Sequence, residues 1–263
     1  MVGLVLVGIL VVVAIAAPVL APYHPTEDVD LTAHLKRPCL AHPFGQDEFG
    51  RDVLSRVIFG SRISLSVGIL VEGISLVIGM TVGLVAGYYG GVVDDVFMRV
   101  TDIMFAFPSL LFAIGIMATL GPGLYNVFIA LGLVGWPGLA RLVRGQVLSL
   151  REKEFVEAAR CLGAPGLRIM LRHLVPNCLG PVTVWVTLGI PEAIMAEASL
   201  SFLGLGAQPP TPSWGAMIYA ALAYVRTEPW LAFFPGLAIL ITVLGFNLLG
   251  DGLRDALDPR LKT

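Results

Sequence analysis

A chain of 263 residues that is 56% hydrophobic and 14% charged, with mean hydropathy +0.84, falls well short of the roughly 25% charged residues of soluble domains. It belongs in a lipid bilayer. Its net charge of -2, from 17 basic and 19 acidic residues, supplies no basic field and argues against a nucleic-acid partner.

The first element is an apolar run at 2–20. Small residues between 14 and 22 resemble a signal cleavage site, but the run is too long for a signal core and no Lys or Arg precedes it, so it reads as a spanning helix. A span needs about 20 apolar residues, because backbone groups in lipid must bond within the segment. Five further runs meet that length: 63–88, 103–120, 124–142, 179–203 and 230–249. Only Gly121-Pro122-Gly123 separates the third from the fourth, which predicts a tight turn and a helical hairpin. The expectation is an all-α membrane protein with six transmembrane helices. It comprises a first helix within 1–21, an extracytoplasmic segment 22–62, a membrane domain 62–251 and a tail 252–263. Eleven Lys and Arg fall on the side holding both termini and six on the other, which places both termini in the cytoplasm. The outer segments 22–62 and 204–229 are read as ordered extended loops, the second carrying Pro209, Pro210, Pro212 and Pro229.

The inner loop, 141–177, has its own pattern. Phe155, Ala158, Ala159 and Leu162 recur at helical spacing over 151–162, with Lys153 and Glu157 four apart and able to pair weakly. Gly163 permits a stop. A second short helix follows over 165–174, with Leu167, Met170, Leu171 and Leu174 on one side and Arg168 and Arg172 on another, and Pro176 is expected to end it. Two helices this short are marginal alone. Either the protein's own spans or a partner must cover their apolar face.

Three acids fall inside expected spans, where carboxylates are costly and face a pathway or a partner. Glu192, beside Pro191, could line a pathway or bond a neighbouring helix. Glu197 lies near the outer end, where water access would explain it, and Glu72 is assigned to helix packing. His24, His34, His42 and Cys39 share the outer segment without a ligand spacing. The three cysteines, Cys39, Cys161 and Cys178, form no CxxC pair, so no metal site or disulfide framework is expected. No GxxxxGK followed by Ser or Thr, no HExxH and no hydrolytic triad pattern occurs, so neither cofactor nor catalysis is expected.

The run Glu157-Ala158-Ala159, then Gly163, and later Pro176 resembles the EAA loop of permease subunits of bacterial binding-protein-dependent ABC importers. His173 and Val175 depart from the general pattern, and Arg172-His173 with Pro176-Asn177 resembles the dipeptide, oligopeptide and nickel branch. The stretches 42–56, 196–206, 209–215 and 247–260 also resemble that branch's C-type subunit. The family's charged tail before the first span is missing, so a truncated or misassigned start is expected. The resemblance implies a type I ABC importer transmembrane fold in the bacterial cytoplasmic (inner) membrane. It also implies a second permease subunit as heterodimer partner, two ATP-binding subunits and an extracytoplasmic substrate-binding protein. Glu157, Ala158, Ala159, Gly163 and Pro176 would couple the ATPases to the spans, and Glu192 and Glu197 are candidate pathway residues. Di- or oligopeptides are the expected cargo, with nickel or glutathione as alternatives. A rival reading is a proton-driven carrier using Glu72, Glu192 and Glu197 as relay acids; no inverted repeat supports it.

Overall fold

A computed structural model describes residues 1–257. Its regular elements among those residues are helices, with one isolated antiparallel bridge between Gln46 and Asp52. The helices are α1 (Val2–Ile15), α2 (Ala17–Leu20), α3 (Val53–Tyr89), α4 (Gly91–Ala106), α5 (Ser109–Leu120), α6 (Leu124–Leu150), α7 (Glu154–Cys161), α8 (Gly166–Ile169), α9 (Val175–Phe202), α10 (Trp214–Ala221) and α11 (Trp230–Leu257). A π-helical turn, Met170–Leu174, joins α8 to α9. Four helices are long and apolar enough to cross a membrane, or up to five if the bent pair α4–α5 forms one span.

The expected span at 103–120 is not one helix. Pro108 supplies no N–H and bars its neighbour from helical dihedrals. Phe107 is accordingly extended, at φ -102° and ψ 137°, and α4 and α5 meet at 90°. At 12 residues, α5 is about 18 Å long, well under a bilayer core of roughly 30 Å. The first run likewise breaks at Ala16, just before the Ala17-Pro18 step, leaving α1 at 14 residues. The second is longer than expected: α3 starts at Val53, where the Asp52 carboxylate accepts from the Ser55 N–H at 2.7 Å and caps it. The last helix runs on to Leu257, so the expected tail at 252–263 is helical as far as the structure describes it, and 258–263 lie outside the described residues. The expected hairpin at 121–123 forms, closed by the Asn126 amide donating to the carbonyls of Leu120 and Gly121 at 2.9 and 3.0 Å.

The long helices are held at both ends. At the end bearing 151–177, Leu84, Val143, Val147, Val156, Ile169 and Leu174 form one core. At the opposite end, Val53, Trp214, Met217 and Leu231 form another. Between them Val67, Val71, Met117, Val127 and Leu131 pack where α3, α5 and α6 meet. The segment 204–229, read as an extended loop, contains α10, which Ser213 caps. Arg56 fastens the two segments of that end together, donating to the carbonyls of Pro25 and Pro210 at 2.9 and 3.3 Å and lying 3.4 Å from Asp47.

Candidate functional site

The 151–177 segment is a helical knuckle. After α7, the N–H of Gly163 bonds the Arg160 carbonyl and that of Ala164 bonds the Ala159 carbonyl, at 2.9 and 3.0 Å. This double bond pattern needs a left-handed residue after the helix, which Gly163 supplies at φ +76°. The chain then reverses into α8. The expectation that Pro176 ends this second helix is corrected: α8, the π turn and α9 run as one 37-residue helix, Gly166–Phe202. Pro176 has no N–H for the carbonyl of Arg172, four residues back. The wider π turn absorbs it, with Val175 N–H bonded to the Met170 carbonyl and the Asn177 amide donating to the His173 carbonyl at 2.7 Å.

Burial divides the apolar residues differently from their spacing. Val156 and Ala159 of α7 and Ile169, Met170 and Leu174 face the core. Phe155, Ala158, Leu162, Leu167 and Leu171 face outward, with Leu162 88% exposed. Neither expected face is therefore single, and Lys153 caps α7 without an ion pair to Glu157 among the described residues. The knuckle is wired to the long helices: the Arg151 guanidinium donates to the Gly87 carbonyl at 3.0 Å, and Arg160 lies over the Tyr88 ring at 5.6 Å. Glu157 is exposed.

A cavity of about 590 Å³ opens at the bend between α4 and α5, halfway along α3, α6 and α9. Glu72 and Glu192 both line it, with Phe105, Phe107 and Trp185. Glu72, assigned to helix packing from sequence, is 9% exposed and turned to this space rather than to a polar partner. A Cβ at Gly189 would sit 2.5 Å from the Glu72 carboxyl, so a glycine is needed there for the acid to fit. Spacing could have flagged this pair only with knowledge of how α3 and α9 pack.

Glu197 does not join them. It is 1% exposed, and its Oε1 accepts from Ser201 Oγ at 2.5 Å and Ser213 Oγ at 2.8 Å, fastening the end of α9 to the start of α10. In the outer segment, His42 Nδ1 is 3.0 Å from Asp52 and its ring stacks on Tyr23 at 4.7 Å. Cys39, Cys161 and Cys178 are free thiols.

Residues 79–263 match the family model described as binding-protein-dependent transport system inner membrane component. Residues 1–38 match the N-terminal TM domain of oligopeptide transport permease C. The chain is 47% identical over 262 residues to the dipeptide transport system permease protein DppC of Alkalihalophilus pseudofirmus, covering all of this chain and 86% of that one. It is 49% identical over 254 residues to the glutathione transport system permease protein GsiD of Escherichia coli, covering 97% and 84%. Among solved structures, a chain of the MetNI methionine ABC transporter in an inward-facing conformation superposes with a TM-score of 0.63 at 19% identity, over 78% of this chain and 97% of that one. At that identity the likeness concerns the fold. Taken with the family match over most of its length, these relationships make the chain a member of the binding-protein-dependent transport system inner membrane component family.

Proposed function

We propose that the chain is the C-type translocation subunit of an ATP-driven importer in the bacterial inner membrane, carrying dipeptides or a glutathione-like peptide. In this reading both termini face the cytoplasm, and six crossings arise by counting α1–α2 and the bent α4–α5 pair with the four long helices. A second permease completes the pathway, two ATP-binding subunits sit beneath the knuckle, and a substrate-binding protein delivers cargo to the end fastened by Arg56.

The observation that carries the reading is the outward apolar surface of Phe155, Leu162, Leu167 and Leu171 on a knuckle whose other face is built into the core. Such a surface at a helical turn fits a groove on a partner. Glu157, Ala158 and Gly163 lie on the exposed part, where small residues admit a close backbone and the acid sets register. Ala159 packs inward and Pro176 sits at the root of α9; these two position the knuckle. Because α8, the π turn and α9 are continuous from the knuckle to the cavity, displacement of the dock by nucleotide-driven closure reaches the pathway without a hinge. Coupling of this kind requires an element whose two positions are biased from both ends.

Reconstituted uptake tests it. Glu157→Lys, Gly163→Val and Leu162→Asp leave the chain in the membrane and abolish ATP-dependent uptake. Wild-type uptake in all three would falsify the assignment. A proton-driven carrier would instead lose uptake when the proton gradient is collapsed.

A further inference from the structure

The importer reading says nothing of what the cavity holds; the following rests on that reading and deepens it. Glu72 is more than nine-tenths buried, lines the cavity and has no hydrogen-bond or ion-pair partner among the described residues. A second carboxylate, the solvent-exposed Glu192 of α9, lines the same cavity. Two acids facing one cavity repel each other, and the buried Glu72 is poorly solvated, so the site is electrostatically incomplete. Among the described residues no Lys, Arg or His lines the cavity. Arg141, which lies over the Phe105 ring at 4.1 Å, is already paired with Asp102 at 2.6 Å.

From this geometry we infer that Glu72 and Glu192 form a subsite for the protonated amino group of the cargo as it crosses the membrane. The walls suit an ammonium. Phe105, Phe107 and Trp185 bring aromatic rings to the lining, and Gly189 leaves room for the Glu72 carboxyl. A metal ion fits less well. Calcium or magnesium takes six or more oxygens and nickel prefers imidazole or thiolate, and no group of three or more His, Cys, Asp or Glu is placed to hold a metal among the described residues. An ammonium needs only two or three acceptors. The consequence is selection by charge: a peptide with a free amino end is drawn into the cavity, and the same peptide blocked at that end is not.

Titration calorimetry on the assembled importer without its binding protein decides this, with alanyl-alanine and N-acetyl-alanyl-alanine as probes. Alanyl-alanine is expected to bind about tenfold more tightly than its acetylated form, the difference that one charge-assisted hydrogen bond supplies. In Glu192→Gln that preference shrinks to near unity, and Glu72→Gln shows the same. Equal binding of the two peptides, binding of neither, or a preference that survives both substitutions overturns the inference. If the two acids instead pair with cations of the partner permease, wild type binds neither peptide. A failure here leaves the coupling assignment intact, because the knuckle variants are read by uptake and do not touch the cavity.

Discussion

Glu72 and Glu197 are both carboxylic acids on apolar helices, and their surroundings divide their roles. Glu72 faces open space beside another acid. Glu197 receives two hydroxyl hydrogen bonds in a closed pocket at the junction of α9 and α10. Removing an acceptor strands its donors, whereas an amide keeps one oxygen in place. Glu197→Ala is therefore expected to lower stability by about 2–4 kcal/mol through the lost bonds and the void. Glu197→Gln should cost less than about 1 kcal/mol, since its carbonyl still accepts. Thermal unfolding midpoints in detergent check the order; equal losses would show that the hydroxyl bonds contribute nothing. The sequence made all three acids conspicuous, because charge within an apolar run is rare. It could not assign them, because Ser213 lies sixteen residues from Glu197, and Gly189 meets Glu72 only after α3 and α9 have packed.

Among the elements, α3 and α6 pack closely along a seam of small residues, which was legible in a pattern the hydropathy reading passed over. Gly79, Gly83 and Gly87 recur every four residues, the spacing that lets two membrane helices approach along small residues. A Cβ at Gly79 would meet Leu139 Cβ at 2.9 Å, one at Gly83 the Ala140 carbonyl at 2.6 Å, and one at Gly87 Val147 Cβ at 2.8 Å. Gly73, on the same helix, faces open space. Gly83→Leu must push α6 away and is expected to destabilise by about 1–3 kcal/mol, while Gly73→Leu is tolerated. Comparing the folded fraction of the two variants after detergent extraction tests the seam, and equal yields would contradict it. Hydropathy found the apolar runs but not their breaks. Pro108 and Pro176 are both helix-breaking residues in principle, yet one produces a 90° bend and the other a π turn within a continuous helix. The difference lies in backbone partners such as Asn177, which a one-dimensional pattern does not show.

Across the molecule, the knuckle, the cavity and the Arg56-fastened end are linked by α3, α6 and α9, while α4 lies against α6 on charged contacts. Arg144 donates to Asp94 through Nε and Nη2 at 2.5 and 2.6 Å, and Arg141 pairs with Asp102. Asp94 and Asp102 are two turns apart on α4, whereas Arg141 and Arg144 are less than one turn apart on α6. These pairs tie α4 to α6, and α4 forms a strut leading to the bend that borders the cavity. Both Asp94 and Arg144 are partly shielded from solvent, at 14% and 32% side-chain exposure, so their two-pronged contact outweighs an ordinary surface pair. Asp94→Arg alone places two guanidinium groups together and should release the strut. Uptake then falls while ATP hydrolysis persists, because the knuckle remains in place through Arg151 and Gly87. Adding Arg144→Asp restores an opposite-charge pair at the same crossing, and uptake should recover to within about tenfold of wild type if the contact acts by holding α4. Measured as a double-mutant cycle in reconstituted uptake, a positive coupling marks the strut as part of the transport path. Independent, additive losses would mean that α4 is held by its apolar contacts and the ion pair is incidental.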